Sequence, residues 1–274
     1  MTEHDIPAFQ ETIWQYYQAN GRHDLPWRQN EADGIYDPYK IVVSELMLQQ
    51  TQVPRVIPKF EIFIKAFPSF EALAEAPLSE VLQVWSGLGY NRRAKFLRQT
   101  AQIVSEQYGG NLPHERADLV GLAGIGFHTA GAVMAYAYNE PAVFIETNIR
   151  TVFIHHFFPD REKVADSDLL PIIEASIPEG RAREWYWALM DYGTNLKQTV
   201  GNKSQASASY AKQSTFQGSR RQIRGQVLKL LGQGGKSLAG LQGTITDERL
   251  VSVLDDLANE GFIESADGMY RLRS

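Results

Sequence analysis

Apolar positions through the first 195 residues recur at helical spacing. Ile41, Val42, Leu46, Leu48 and Val53 form one set, and Leu82, Val84, Trp85 and Leu88 another. Strand-like alternation is almost absent there. Proline or glycine punctuates the pattern repeatedly (Pro54, Pro58, Pro68, Pro77, Gly87, Gly109, Pro113, Gly124). This predicts an all-α domain of many short helices over residues 1–200. Residues 201–218 are rich in Ser, Gln, Ala and Lys, lose the periodicity, and read as a basic linker or long loop. A compact unit over 219–274 follows. It has a helix at Arg220–Leu231, a short one at Leu238–Leu241, and a third capped by Thr246 and running to Asn259, where Gly261 stops it. Phe262–Glu264 and Met269–Leu272 then flank the hairpin signal Asp267-Gly268. Three helices and a hairpin predict a small winged-helix-like α+β unit.

The composition, 43% hydrophobic and 22% charged over 274 residues, is that of a globular protein. No apolar run approaches a membrane span, and Met1–Ile13 carry no apolar leader, so a cytoplasmic protein is expected. The absence of cysteine excludes disulfides, a thiol nucleophile and a cysteine-held zinc or iron–sulfur centre. A net charge of −5 argues at first against a nucleic-acid partner, but residues 1–200 carry 17 basic and 25 acidic side chains whereas 201–274 carry 10 and 7. Within 201–236 lie seven cations (Lys203, Lys212, Arg220, Arg221, Arg224, Lys229, Lys236) and no acid. Such a stretch can neutralise phosphates whatever the global sum, because screening limits each charge to about 8–10 Å. A solubilising tether fits the same composition.

Three segments carry candidate chemistry. Leu122-Ala123-Gly124-Ile125-Gly126-Phe127-His128-Thr129 leaves one helix, turns tightly and enters another of small residues. Glycines there let backbone amides approach a phosphate, although an ordinary helix–turn–helix corner has the same pattern. Val143-Phe144-Ile145-Glu146-Thr147-Asn148 sets an acid directly after three apolar residues; it is either a catalytic carboxylate or a helix cap with Thr147. Glu45 interrupts the apolar stretch Ser44–Val53. A carboxyl there is costly to ionise, so its pKa rises, which suits a proton donor; a structural carboxyl met by backbone amides is the alternative.

Taken together, and with Leu25-Pro26-Trp27, Trp85-Ser86-Gly87-Leu88-Gly89-Tyr90 and Ala188-Leu189-Met190-Asp191-Tyr192-Gly193, these segments resemble the helix-hairpin-helix DNA glycosylases, most closely the MutY-type adenine glycosylases, from about Leu25 to Leu196. The resemblance implies two α lobes flanking a DNA-binding cleft. It makes Glu45 the donor of a proton to the departing base, Glu146 the carboxylate that stabilises the oxocarbenium-like sugar, and Asn148 the polar residue supporting that acid and the water. Gln49, Gln50 and Tyr90 fall on residues that probe or enter the stack while the base is flipped. Gly124, Gly126 and Thr129 fall on the phosphate-holding hairpin, and the carbonyls of Val120, Leu122 and Ile125 are candidate ligands of a monovalent Na+ or K+. Trp27, Arg28 and His128 are candidate base-pocket residues. His128 stands where lyase-competent relatives place a lysine, so base release without strand cleavage is expected.

Three differences from the family's pattern stand out. Glu146 replaces an aspartate, the four cluster cysteines expected after Leu196 are missing from Lys197–Gly218, and the winged-helix-like unit stands in place of a Nudix-like domain. The reading is therefore a monomeric, cofactor-free, monofunctional DNA glycosylase. It would remove a mismatched base from duplex DNA, most readily adenine opposite 8-oxoguanine or guanine, with Arg220, Arg221 and Arg224 as further DNA contacts. A thymine or uracil mismatch glycosylase is the alternative within the class. A non-catalytic damage-binding protein and a winged-helix regulator are the alternatives outside it.

Overall fold

The computed structural model of the chain describes residues 5–32, 34–210 and 215–273. Lys212 of the basic stretch and the first four residues of the polar N-terminus lie outside them. The described residues form helices α1 (Ile6–Asn20), α2 (Pro38–Leu48), α3 (Val53–Ala66), α4 (Phe70–Glu75), α5 (Leu78–Trp85), α6 (Arg92–Tyr108), α7 (Arg116–Gly121), α8 (Phe127–Tyr138), α9 (Thr147–Phe157), α10 (Asp166–Ser176), α11 (Ala182–Thr199), α12 (Arg220–Leu231), α13 (Leu238–Gln242) and α14 (Leu250–Asn259). Strands β1 (Lys236–Ser237), β2 (Ile263–Ala266) and β3 (Met269–Leu272) make an antiparallel sheet in the order β1-β3-β2. The mainly helical fold with a small C-terminal α+β unit is the one the pattern predicts. No helix among the described residues is long and apolar enough to cross a membrane.

Local chemistry sets the ends of these elements. Pro7 and Pro54 occupy first turns, where a missing N–H costs nothing. Ser69 caps α4, Ser219 caps α12 and Ser237 caps α13, each accepting from a backbone N–H of the first turn. Gly109, at φ +59°, ends α6 in the left-handed conformation that glycine adopts without strain.

Packing divides the chain into two interleaved units, one of Met1–Glu45, Pro113–Gly121 and Ile125–Lys212, the other of Leu46–Leu112, Leu122–Gly124 and Gln213–Ser274. In the first, α11 packs on α1, α8 and α9, around an aromatic cluster in which Phe9 meets Phe153, Phe157 and Trp185 edge-on at 5.0–5.8 Å. Two glycines bring backbones close there. A Cβ on Gly131 would lie 2.9 Å from Phe144 Cβ, and one on Gly193 would lie 2.6 Å from the Asn148 carbonyl oxygen. In the second unit α6 packs on α4 and α5, Phe63 meets Trp85 edge-on, and α12 and α14 pack together against the sheet.

Several local expectations change. The apolar set from Ile41 to Val53 is not one helix: α2 stops at Leu48, Gln50 adopts φ +56°, and α3 begins at Val53. The carbonyls this leaves open are taken by Arg93, a 6% exposed side chain. Its Nη1 donates to Leu46 O (2.8 Å), Met47 O (2.8 Å) and Gln49 O (2.6 Å), and its Nη2 to Thr51 Oγ1 (3.1 Å) and Gly89 O (3.1 Å). Thr246 does not cap α14, because Asp247 accepts from the Arg249 N–H and delays the helix to Leu250. Strand β1 was not foreseen, two residues being too short for a periodic signal. Part of the presumed loop is ordered: Val164 N–H donates to Ala206 O and Ala208 N–H to Val164 O, both at 2.8 Å, holding 206–208 against the first unit.

Burial lowers the Arg93 pKa to about 10, which leaves it charged at neutral pH. Arg93→Met should destabilise the chain by about 2–4 kcal/mol, since several buried carbonyls lose their donor together. Urea unfolding measures this, and a change within about 0.5 kcal/mol would show that the guanidinium does not satisfy them.

Candidate active site

All the residues that bear on the two candidate carboxylates belong to the first unit. Glu45 projects from α2 between the buried residues Ser44 and Leu46. Burial pushes its pKa well above the usual carboxylate range, and the like charge of Glu146 pushes it further, against the pull of Arg28. Glu146 occupies the N-cap position of α9 with extended backbone (φ −118°, ψ 170°), yet its side chain makes no capping hydrogen bond. The capping alternative for Glu146 therefore finds no support, and Thr147 is the first helical residue, not the cap. Burial raises the Glu146 pKa, and the Lys197 ammonium opposes that rise. Of two carboxylates that repel each other, the one beside the lysine keeps its charge and the other keeps the proton. Both carboxyls are raised, Glu45 the further of the two, so the pair gives up its protons in two steps and the last proton favours Glu45.

Arg28 is 7% exposed and bound to Asp191, itself 3% exposed, through Nη1 to Oδ2 (2.8 Å) and Nη2 to Oδ1 (3.0 Å). Asp191 also accepts from the Arg22 N–H (2.8 Å) and Nε (2.7 Å). The Arg28 guanidinium lies 5.2 Å from the centre of the Trp187 ring, which stacks on Tyr136 at 5.9 Å. Burial raises the Tyr136 phenol pKa, as do both Glu45 and Glu146, so the phenol remains a neutral hydrogen-bonding group beside the pair.

Lys197 is a residue that sequence reasoning missed. It sits one turn beyond Gly193 on α11, and its Nζ donates to Asn148 Oδ1 at 2.6 Å. Asn148 Nδ2 in turn lies 3.5 Å from Thr194 Oγ1. Burial lowers the Lys197 pKa while Glu146 raises it. Only the chain's return through α11 brings this lysine to α9, so no local motif could flag it.

The other named residues separate. His128 accepts the Ile145 N–H at Nδ1 (3.2 Å), which places any ring proton on Nε2 and ties the imidazole to the segment entering Glu146. Desolvation and then Arg150 lower its pKa, so it is neutral. Trp27 is buried in the short turn Pro26–Arg28. Gly126 is the N-cap of α8, with open space where a Cβ would stand, and Thr129 lies in the first turn of that helix. Val120 and Ile125 lie on either side of the turn between α7 and α8 in the first unit. Leu122 and Gly124 belong to the second; Gly124 has φ +78°, and a Cβ there would lie 2.8 Å from Phe96 Cβ.

Gln49, Gln50 and Tyr90 also belong to the second unit. Arg220 and Arg224 do not present the outward basic face expected of α12. Arg220 pairs with Asp256 (2.7 Å) and Arg224 with Glu260 (2.6 Å), while Arg221 bonds the Tyr90 hydroxyl. The acids that neutralise them lie 36 residues further on, outside the window in which the stretch looks purely basic.

Residues 43–169 match a family described as HhH-GPD superfamily base excision DNA repair protein. The chain is 30% identical over 274 residues to the adenine DNA glycosylase of Mycolicibacterium smegmatis, covering 92% of each. It is 37% identical over 187 residues to that of Buchnera aphidicola subsp. Baizongia pistaciae, covering 68% of this chain and 52% of the relative, so it spans about half the length of that protein. Among solved structures, a thermostable thymine-DNA glycosylase superposes with TM-score 0.59 at 27% identity, over 69% of this chain and 85% of that one. An endonuclease III in a DNA complex superposes at 0.57 with 17% identity, over 73% and 87%, a likeness of fold.

Because Lys197 opposes protonation of Glu146, Lys197→Met should raise the Glu146 pKa, and Lys197→Arg should leave it closer to the native value. Carboxyl-carbon NMR titration of glutamate-labelled protein reads both. A Glu146 midpoint that does not move in Lys197→Met would remove the lysine from the site's electrostatics.

Proposed function

The chain belongs to the HhH-GPD superfamily of base excision DNA repair proteins, in the branch that holds these adenine DNA glycosylases, and on that basis we propose that it is a monofunctional DNA N-glycosylase releasing adenine from a mispaired nucleotide flipped out of duplex DNA. The observation that carries this reading is the unequal carboxylate pair, Glu45 pushed well above the usual range and Glu146 raised against the pull of Lys197, which we read as a proton on Glu45 and a charge on Glu146. Glycosidic cleavage needs both states at once. Glu45 gives its proton to a ring nitrogen of the base, and the electron pair of the C1′–N bond leaves with the base. Positive charge then develops on the sugar, where the Glu146 carboxylate offsets it in a site with little water to screen it. Water adds at C1′, and its proton passes to a carboxylate. Asn148, fixed by Lys197, orients that water.

The neutral His128, already accepting the Ile145 amide, offers no amine for a Schiff base, which supports release without strand cleavage. Gln49, Gln50 and Tyr90 would probe the stack, and the amides that open α8 at Gly126–Thr129 would hold a phosphate. In this reading Arg28 and Trp27 belong to the wall of the base pocket. The enzyme would work as a cytoplasmic monomer without an iron–sulfur cluster, for which the chain has no cysteine. A Na+ or K+ at the carbonyls of Val120, Leu122 and Ile125 would supply only local positive charge at the hairpin. The likeness to a thymine-DNA glycosylase favours a second reading, removal of thymine or uracil opposite guanine.

Single-turnover release followed by alkali cleavage, on duplexes with adenine opposite 8-oxoguanine or guanine and with thymine or uracil opposite guanine, separates the readings. Adenine release is expected, falling about 10²-fold or more in Glu45→Gln and vanishing in Glu146→Gln. Release of pyrimidines alone would install the second reading. Binding without release of any base would make the chain a damage-binding protein.

A further inference from the structure

Tyr90 is held in a conformation that tyrosine does not choose, and part of what holds it comes from the C-terminal segment. Its φ is +48°, in a turn where Gly87 and Gly89 also have positive φ (+98° and +73°). A left-handed non-glycine residue is strained and persists where its surroundings over-determine it. From within its own turn the backbone is fixed by Arg93, which donates to Leu88 O (3.4 Å) and Gly89 O (3.1 Å). The Arg93 guanidinium also lies 5.4 Å from the centre of the Tyr90 ring, but the hydroxyl at the end of the side chain is met by another residue. The Arg221 guanidinium bonds the Tyr90 hydroxyl, and its centre lies 5.4 Å from the ring centroid.

Arg221 is itself locked in register on α12. Its neighbour Arg220 donates to Asp256 Oδ2 through Nε (3.0 Å) and Nη2 (2.7 Å), and Arg224 grips both oxygens of Glu260 at 2.9 and 2.6 Å. Glu260 is shared: Arg92, two residues beyond Tyr90, donates to the same carboxylate at 2.9 and 2.7 Å, and Lys95 bonds the Glu260 carbonyl. Hydrogen bonds from Arg92 and Arg224 outweigh partial burial and hold the Glu260 carboxyl at about 2, so this seam stays charged at any ordinary pH. Ile223, Val227, Leu228 and Leu231 are buried on the same side of α12 as Arg220 and Arg224, the first three of them three or four residues from one or the other, so the two arginines are held at the edge of a packed face. The helix that would read DNA in a winged-helix protein is α14, which carries Asp255, Asp256 and Glu260 at its end and would be repelled by phosphates. Arg220, Arg221 and Arg224 all find their partners within their own unit.

We propose that Arg221 is a positioning residue for Tyr90, and that the C-terminal α/β segment acts as the brace that sets this side chain before DNA arrives. The proposal rests on the reading of Tyr90 as a residue that enters the stack. A pre-set rotamer removes an ordering step from base flipping, so losing the brace slows flipping and leaves the acid–base chemistry intact.

The test uses the full chain on duplexes in which 2-aminopurine, an adenine analogue that brightens on unstacking, stands opposite guanine. Arg221→Met, Tyr90→Phe and the double variant are compared by the rate of the fluorescence rise. Each single change should slow flipping about tenfold, and the double variant no more than either, because both break one contact. Multiplying effects overturn the proposal, as does a native rate in Arg221→Met. A fall of about 0.9 in the slope of log affinity against log salt in Arg221→Met, without the same slowing in Tyr90→Phe, makes Arg221 a phosphate contact and also overturns it. Should Arg221→Met fail to fold, Tyr90→Phe, which removes only the hydroxyl, still decides: a native rate overturns the proposal and a slowed one supports it. Failure of the glycosylase reading looks different, since no base is then released although the unstacking signal still reports the Arg221–Tyr90 contact.

Discussion

Two carboxyl groups in one poorly hydrated site resist being charged together, and the first unit is arranged to bias which of them gives up its proton first. The decision follows from how completely each nearby cation is already engaged. Arg28 faces Glu45, but Asp191 holds both of its terminal nitrogens, so little of its field is left to ionise a second acid. Lys197 donates to the neutral Asn148 amide oxygen, which leaves its charge to act on Glu146. The same reasoning explains why Asp191 is ionised although buried. Burial alone would raise its pKa, and the Arg28 and Arg22 bonds outweigh it, leaving the carboxyl below its usual range. Glu146, Asn148, Asp191 and Lys197 thus come from one helix pair, α9 and α11, packed closely enough that only glycine fits at position 193, while α2 brings Glu45 and the turn Pro26–Arg28 brings Arg28.

The second unit meets a different constraint, the cost of left-handed backbone at residues that are not glycine. Gln50 and Tyr90 both adopt it, in separate turns, and one guanidinium bonds the backbone of both turns. A buried arginine with so many carbonyl partners needs no carboxylate, because peptide dipoles replace its hydration. The arrangement is stiff for a geometric reason: the planar fork of Arg93 cannot follow one turn without straining its bonds to the other.

Helix pattern, the C-terminal hairpin, Glu45 and Glu146 were all legible in the sequence, because each has a local signal: apolar periodicity, an Asp-Gly turn, an acid where the pattern calls for an apolar residue. The functions of Lys197 and Arg93 were not. A lysine near the end of a long helix, and an arginine in the run Arg92-Arg93, look like solvated surface until the partners 49 and 47 residues away are known. The basic stretch was misleading for the same reason in reverse. Its cations are real, but Asp256 and Glu260 return from α14 to pair with Arg220 and Arg224. Charge read along a sequence gives what a segment could attract. Which partner it does attract is decided by packing.

That pairing changes how an acidic chain is understood to meet a polyanion. The chain has net charge −5, and Arg220 and Arg224, paired to acids of their own unit, are not free to meet phosphates. Under the proposed function, the opening turn of α8 would provide another route. A helix N-terminus concentrates partial positive charge on amides that no carbonyl of the helix can take, and it does so without adding a formal charge for other anions to find. Gly126 adds no side chain at that end and has open space where a Cβ would stand, and Phe127 and His128 beside it are exposed. Attraction by amides at a fixed place acts over a few ångströms, whereas attraction by a basic surface acts over a Debye length. A duplex held in this way is positioned by geometry more than by charge, which suits a site whose own two carboxylates would otherwise repel the backbone that brings the substrate in.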